Sequence, residues 1–502
     1  MVSGTVVSLP DEAATLRLGA DLALALRPGD MLLLKGDLGA GKTTLARALI
    51  RAVAGNPSLE VPSPTFTLVQ AYETQPPIQH FDLYRLSSPD ELDELGLEEA
   101  AAESITLVEW PERASGRFAA SAVTLELSSE GEGRVATLSG AGPAFDRLAR
   151  SLGIRAFLGA AGWGAARRQR LTGDASARAY EVVSLPEESP RLLMDSPPIV
   201  LGPAVRDGKP YALIAHSALS VHAFVAIDTL LLDAGFAAPR IHARDLDRGL
   251  LLVEDLGSET LADAEGQPIS ERYVAAAELL ADMHARSWPV GVDIERGVTY
   301  TIPAFDREAM LIEAELAMDW YAPAYLGAET ADRYRQAFRD AWNAVLDRLS
   351  DTETTLMLRD VQSPNFLWRG ERSGNDRLGL IDFQDALIGP SAYDVASLAL
   401  DPRVTVPPAM RNQVVNAYAA RRHENGLFDA SDFARAFAIM GAQRHTKILG
   451  IFVRLHRRDG KPYYLPHLPR IRAYVAELLV HPALAEVRQV YDAMGLLAGE
   501  PG

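Results

Sequence analysis

Apolar residues open the chain as short runs separated by stretches of helical period. Met31 to Lys35 reads as a buried strand, a glycine-rich turn follows, and Thr43 to Ala54 has the spacing of an amphipathic helix. Thr65 to Val69 and Ile105 to Glu109 read as further strands, and this α/β rhythm predicts a mostly parallel sheet. Val123 to Leu127 and Arg134 to Leu138, flanking Ser-Glu-Gly-Glu-Gly, predict a closing hairpin. The small residues from Ser139 to Ala144 predict a boundary, which places a first domain at 1–142 and a second at 143–502. Beyond a helical stretch from Phe145 to Ala161, the segments Ala179–Val183, Arg191–Met194, Tyr211–Ile214 and Leu250–Val253 predict a second sheet. From about Thr260 the pattern turns helical, with periodic stretches at Tyr273–Met283 and Ala331–Leu349. A small β-rich lobe at about 165–257 thus precedes a helical lobe at about 258–502, and no internal repeat is visible.

Length supports the two-domain reading, because 502 residues exceed what one ordinary core organises. With 48% hydrophobic and 23% charged residues and no long like-charge block, the composition is that of a folded soluble protein. A formal charge of −18 opposes extended contact with a polyanion, so a role near RNA is expected to run through a partner, without strong direct nucleic-acid binding. The absence of cysteine excludes disulfide frameworks, thiolate zinc sites and cysteine nucleophiles. The start MVSGTVVSLPDEAATL has no basic stretch before an apolar core, and no apolar run reaches the roughly 18 residues of a membrane span, so a cytoplasmic location is expected.

Chemistry enters first at Gly36-Asp37-Leu38-Gly39-Ala40-Gly41-Lys42-Thr43, with Thr44 following, a P-loop pattern between a strand and a helix start. Its glycines let backbone N–H groups curl round phosphate oxygens and the helix N-terminus favours the anion. Lys42 would meet the β- and γ-phosphates, and the Thr43 hydroxyl can ligate magnesium. Glu109, closing the apolar run before Trp110, is the candidate metal carboxylate; by position alone it could also be a solvated strand-end acid. Asp82 could position water or the metal, or cap a helix. GDLGAGKTT, SPTFTLV, HFDLYRL, LGLEE and LVEWPER come in the order and spacing of the TsaE family, the ATPase subunit of the bacterial tRNA threonylcarbamoyladenosine system, and the resemblance spans roughly the first 140 residues. It implies ATP hydrolysis in concert with TsaB and TsaD, magnesium ligation by Thr43 and Glu109, and a nucleotide- or partner-facing role for Asp82 and the segment Ser63 to Thr67.

A second constellation is Asp360-Val361-Gln362-Ser363-Pro364-Asn365, followed after an apolar run by Ile381-Asp382-Phe383. The Asp–Asn spacing alone arises by chance in a chain this long; its order before Asp382 and behind a β-rich lobe is what gives it meaning. Asp360 would take the proton of a substrate hydroxyl, while Asn365 and Asp382 would hold magnesium. Leu171 to Arg178 lies where a phosphate-covering loop belongs, with Ser176 and Arg178 as candidates, and Leu252 to Gly257 reads as the hinge at adenine, with Glu254 and Leu256. Arg191-Leu192-Leu193-Met194-Asp195 lacks the usual strand lysine, Ser220 to Leu232 contains no glutamate to pair with one, and Leu358 stands where a catalytic-loop histidine is common. Ser176, Arg178 or Lys209 could compensate, or be surface residues.

These segments resemble the aminoglycoside phosphotransferase-like superfamily. GDASARAY, LLMDSPP, LLVEDLG, LRDVQSPNFLW, LIDFQDALIGPSAYDVASL and QRHTKILGIFVRL are most similar to its AmgK type of anomeric sugar kinase, from about Phe145 to the end. The resemblance implies ATP-dependent phosphorylation of the anomeric hydroxyl of N-acetylmuramate and N-acetylglucosamine in peptidoglycan recycling. Arg444, His445, Lys447, Tyr463, Tyr464 and His467 are candidate sugar lining, with structural roles at least as frequent for such residues. The expected fold is therefore α/β, a P-loop NTPase domain followed by a bilobal protein-kinase-like domain, with ATP and Mg2+ as cofactors. Competing classes are a nucleotide-switched docking module, a pseudokinase scaffold and an aminoglycoside kinase. Aminoglycosides are polycations that call for an acidic pocket.

Overall fold

The computed structural model describes residues 3–171 and 178–498. It divides into two compact units, residues 1–195 with 242–252, and residues 196–241 with 253–502.

The first unit opens with β1 (Ser3–Leu9), α1 (Glu12–Ala23), β2 (Met31–Lys35), α2 (Lys42–Ala54), β3 (Val69–Tyr72) and β4 (Ile78–Asp82). Two short helices, α3 (Glu91–Glu94) and α4 (Leu97–Glu103), lead to β5 (Ile105–Glu109), β6 (Val123–Glu130) and β7 (Gly133–Gly140). Seven strands make one sheet in the order β1-β7-β6-β2-β5-β4-β3. Its centre is parallel, β6-β2-β5-β4, and its flanks are antiparallel, so the sheet is mixed rather than mostly parallel. Alternate residues of β2 serve two cores: Leu32 and Leu34 pack with α1 and α2, Met31 and Leu33 with Phe81, Val108 and the α3–α4 layer. Burial on both faces explains why β2 and β5 read as continuous apolar runs.

Helix α5 (Pro143–Ala160) follows without a break in structure. Its first half, Phe145, Leu148 and Leu152, joins the core of the P-loop sheet, and its second half, Ile154, Phe157 and Leu158, joins a core with Trp163, Val183, Leu193 and Leu250. That second core belongs to β8 (Arg167–Leu171), β9 (Ala179–Ser184) and β10 (Arg191–Asp195).

Next come the small hairpin β11 (Ala204–Arg206) and β12 (Lys209–Pro210), α6 (Tyr211–Ile214), α7 (Val221–Asp233), β13 (Ile241–Asp245) and β14 (Leu250–Glu254). The second sheet has the order β13-β14-β10-β9-β8. Two expected strands differ. Residues 65–67 form a turn ahead of β3, with Leu68 at φ 65°, and Tyr211–Ile214 is a helical turn launched by Pro210, whose fixed φ suits a helix entry.

The second unit continues with α8 (Ser270–His284), the hairpin β15 (Gly291–Glu295) and β16 (Val298–Thr301), and helices α9 (Arg307–Ala314), α10 (Ala322–Tyr325) and α11 (Ala328–Leu346). Two small antiparallel pairs follow: β17 (Thr354–Met357) with β20 (Leu387–Pro390), and β18 (Phe366–Trp368) with β19 (Leu378–Leu380). Helices α12 (Ala392–Ala399), α13 (Pro408–Asn425) and the long α14 (Ala430–Arg457) pack behind them. No helix among the described residues is long and apolar enough to cross a membrane.

Candidate functional sites

The parallel register brings the first site together. Asp82 lies opposite Glu109 across β4 and β5, and Leu34 of β2 lies opposite Glu109 from the other side. Both carboxylates therefore end at the mouth of the loop that leaves β2, the edge of an α/β sheet where ligands bind. Gly36 takes φ 135°, and a Cβ there would fall 2.4 Å from the Leu127 carbonyl oxygen, so the turn admits only glycine. The loop, Lys42, Thr43, Asp82 and Glu109 line a cleft of about 310 Å3.

Within it the Lys42 ammonium donates to the carbonyl oxygens of Gly36 (2.6 Å) and Asp37 (3.0 Å) and lies 3.6 Å from the centre of the Trp110 ring. Burial lowers its pKa, opposed by Glu109, Glu112, Asp82 and Asp37. Thr43 Oγ1 donates to Glu109 Oε2 at 2.9 Å, and His80 Nε2 meets Glu109 Oε1 at 2.9 Å. Asp82 Oδ2 accepts from Ser63 Oγ (2.8 Å) and Thr65 Oγ1 (2.7 Å), while its Oδ1 accepts from Tyr84 N at 3.1 Å. His80 orients Glu109 from a fully buried position and was given no role in the sequence reading. Its signal was present, since it sits two residues before Asp82 and so faces the same side of β4.

In the second unit Asp360 and Asn365, both on the loop between β17 and β18, meet Asp382, which follows β19. Asn365 Nδ2 donates to the Asp360 carbonyl oxygen at 2.8 Å and lies 3.5 Å from Asp382 Oδ2; Gln384 Nε2 donates to Asp382 Oδ1 at 2.9 Å. Asp382 is held at φ 59° and Arg359 at φ 72°, conformations that non-glycine residues adopt rarely and that mark functional turns. The loop is fastened from below: Asp394, fully buried on α12, accepts from Leu358 N (2.7 Å) and Arg359 N (2.9 Å), and Asp401 accepts from Ser363 N at 2.7 Å. His284 stands 3.5 Å from Asp394.

Beside this loop is a buried charge cluster. Glu313 of α9 pairs with Arg359 and with Lys447 of α14 (2.5 Å), and Arg444 Nη1 donates to the Arg359 carbonyl oxygen at 2.9 Å while standing 3.5 Å from Asp360 Oδ1. Burial opposes charge on Asp360, but Arg444, Lys447 and Arg359 outweigh it and hold the carboxyl below its ordinary value. Burial likewise opposes charge on Glu313, and Arg359 and Lys447 pull its carboxyl down to about 2.

The remaining expected residues are placed less tightly. Ser176 lies outside the described residues, and Arg178 immediately precedes β9. Glu254 ends β14, its carboxylate 3.4 Å from Arg240 N and 3.9 Å from Arg369; Leu256 is buried against Gly379. Lys209 is exposed on β12. On β10, where a kinase lysine is usual, Met194 is buried and Asp195 is bound to Arg150 at 2.6 Å. Helix α7 carries no glutamate but does carry buried Asp228, whose carboxyl is raised to about 8 by burial and then by Glu254. Of the sugar-lining candidates, His445 is enclosed with its ring nitrogens 2.8 and 2.7 Å from the carbonyl oxygens of Gly441 and Leu400, Tyr464 is buried and Tyr463 is exposed.

Comparison with known proteins agrees with both halves. The family model for the threonylcarbamoyl adenosine biosynthesis protein TsaE matches residues 9–136, and that for the phosphotransferase enzyme family matches residues 167–429. An N-acetylmuramate/N-acetylglucosamine kinase of Caulobacter vibrioides is 33% identical over 67% of this chain and 94% of its own length. Another protein of that name from Pseudomonas putida is 33% identical over 53% of this chain and 76% of its own length. A tRNA threonylcarbamoyladenosine biosynthesis protein TsaE of Rickettsia bellii is 46% identical over 21% of this chain and 72% of its own length. The chain belongs to the phosphotransferase enzyme family, on its N-acetylmuramate/N-acetylglucosamine kinase-like branch, and carries at its N-terminal end a domain of the TsaE family, both of them families that use ATP.

Proposed function

We propose that the chain is bifunctional. Its C-terminal half transfers the γ-phosphoryl group of ATP to the anomeric hydroxyl of N-acetylmuramate and N-acetylglucosamine, a step of peptidoglycan recycling. Its N-terminal half hydrolyses ATP in support of threonylcarbamoyl transfer to a tRNA adenosine, together with TsaB- and TsaD-like proteins. The observation that carries the first reading is the convergence of Asp360, Asn365 and Asp382 on a loop fastened by Asp394. In the transfer, Asp360 accepts the hydroxyl proton as the sugar oxygen bonds to phosphorus and the bond to the ADP oxygen breaks. Arg444 and Lys447 keep Asp360 ionised and make its surroundings a poor place for a polycationic acceptor, which argues against an aminoglycoside.

Magnesium fits the donors present in both places, because carboxylate, amide and hydroxyl oxygens suit a hard cation. Asp382 and Asn365 would hold it in one site, Thr43 and Glu109 in the other. When bound, it supplies positive charge against the phosphate oxygens. In the first site Lys42 and the loop amides bind the phosphates, and Asp82, fixed by Ser63 and Thr65, orients water. Leu38 and Phe66 are 78% and 81% exposed near that cleft, which supports docking by a protein partner there. The test of the kinase reading is phosphate transfer to each sugar and to an aminoglycoside; product from the aminoglycoside alone would replace the sugar reading.

A further inference from the structure

The P-loop helix and the strands of the phosphotransferase sheet are joined by a continuous set of close contacts inside the first unit. Helix α2 begins at Lys42 and is crossed by α1 at Gly19, where a Cβ would fall 2.6 Å from Ala48 Cβ and 3.0 Å from Leu49 N. With no space left between them at this crossing, a displacement of α2 presses on α1. Two residues on, α1 buries Asp21, 1% exposed. Its carboxylate receives both Arg155 Nε and Nη2 from α5 at 2.7 Å and faces Arg168 Nη1 of β8 at 3.1 Å. Arg168 in turn clamps Glu181 of β9 (2.7 and 2.9 Å) and donates to Ser151 of α5, while Ser151 Oγ donates back to the Asp21 carbonyl oxygen at 2.7 Å.

Asp21, Arg168 and Glu181 are buried here, with Arg155 half-buried beside them, where apolar side chains would have packed at lower desolvation cost. Such networks seldom add stability over an apolar replacement; what they fix is geometry, because each hydrogen-bonded charge has one acceptable position. The cluster is thus placed to hold α1, α5, β8 and β9 in one register. At its other end, the phosphates of a nucleotide compete for the Lys42 protons now donated to Gly36 and Asp37, at the first residue of α2.

We infer that Asp21, Arg155 and Arg168 couple the nucleotide site at Lys42 to strands β8 and β9 of the phosphotransferase sheet, so that occupancy of the first site is felt in the second domain. This does not depend on what either site acts upon. The experiment is hydrogen exchange on the full chain with and without saturating ADP and magnesium, in wild type, Lys42→Ala, Asp21→Asn and Arg168→Gln. Wild type should show exchange in β8 and β9 slowed by about fivefold beyond what Lys42→Ala shows, since Lys42→Ala retains only nucleotide bound elsewhere. Arg168→Gln cuts the link from α1 to β8 while Arg155 still holds Asp21, and so remains informative if Asp21→Asn does not fold. In either variant α1 and α2 should keep their response, and β8 and β9 should show no more than the Lys42→Ala response. A β8–β9 response equal in wild type and Lys42→Ala, or an excess over Lys42→Ala that survives in Arg168→Gln, would overturn the coupling.

Discussion

A carboxylate serves as a base only while it is ionised, and Arg444, Lys447 and Arg359 hold the carboxyl of Asp360, the proposed base, below its ordinary value. On that proposal Asp360 stays competent until the pH falls below the ordinary carboxylate range. Replacing Arg444 by Gln should raise the Asp360 pKa and move the acid limb of the kcat/KM profile upward by a measurable fraction of a pH unit or more, with Arg444→Lys restoring part of it. Asp360→Asn should lower sugar phosphorylation by about 10²- to 10⁴-fold while ATP binding at Lys42 persists, which single-turnover assays and nucleotide binding would report. Glu313 carries a stability signature. Its carboxyl falls from 4.5 to about 2 in the folded chain, so its contribution is present above 4.5 and lost as pH drops toward 2. Glu313→Gln should cost about 3–5 kcal/mol at neutral pH in urea unfolding, because Arg359 and Lys447 would be left buried without their anion. At this scale the sequence revealed residues that sit in one contiguous loop, such as Gly36 to Thr43, or that stand in a fixed order, such as Asp360, Asn365 and Asp382. It did not reveal Asp394, Glu313 or Asp228, whose meaning comes from tertiary neighbours far off in the chain.

Helix α14 shows what an element must give up to pass through a core. It buries Gln443, Arg444, His445, Thr446 and Lys447 in succession, a polar turn that sequence periodicity would assign to solvent on at least one face. Partner groups on α9, just after α12 and in the 358–360 loop bond Gln443 Nε2, His445 and Arg444 Nη1, which offsets part of the cost of that burial. The same helix comes so close to the chain at Leu316 that a Cβ on Gly450 would lie 2.2 Å from its backbone, next to the π turn Ala317–Tyr321. Gly450→Ala should therefore destabilise the chain by about 1–3 kcal/mol and lower the thermal midpoint, without changing the P-loop ATPase. Strong apolar runs such as β2, β5 and β14 were legible as strands because burial on both faces writes itself into the sequence. Residues 65–69 and 211–214 were not, since short β-rich composition cannot tell a strand from a turn that tertiary contacts hold in place.

Across the whole molecule, the boundary expected near residue 142 falls at the start of α5, a helix whose two halves serve two cores. A sequence shows a composition shift there; it does not show that one helix contributes to both cores. A net charge of −18 opposes direct contact with RNA, and the exposed Leu38 and Phe66 beside the P-loop cleft offer apolar surface to the proposed protein partner. Phe66→Ser should weaken partner-stimulated ATP hydrolysis several-fold and leave the unstimulated rate alone, as a coupled ATPase assay would show.

The account as a whole rests on two active sites with separate chemistry. The direct measurement is phosphate transfer from ATP to N-acetylmuramate and N-acetylglucosamine by wild type, Asp360→Asn and Lys42→Ala. Sugar 1-phosphate from wild type and from Lys42→Ala, with at least about 100-fold slower transfer by Asp360→Asn, is the predicted result. Transfer at the wild-type rate by Asp360→Asn, or transfer that vanishes in Lys42→Ala, would contradict it.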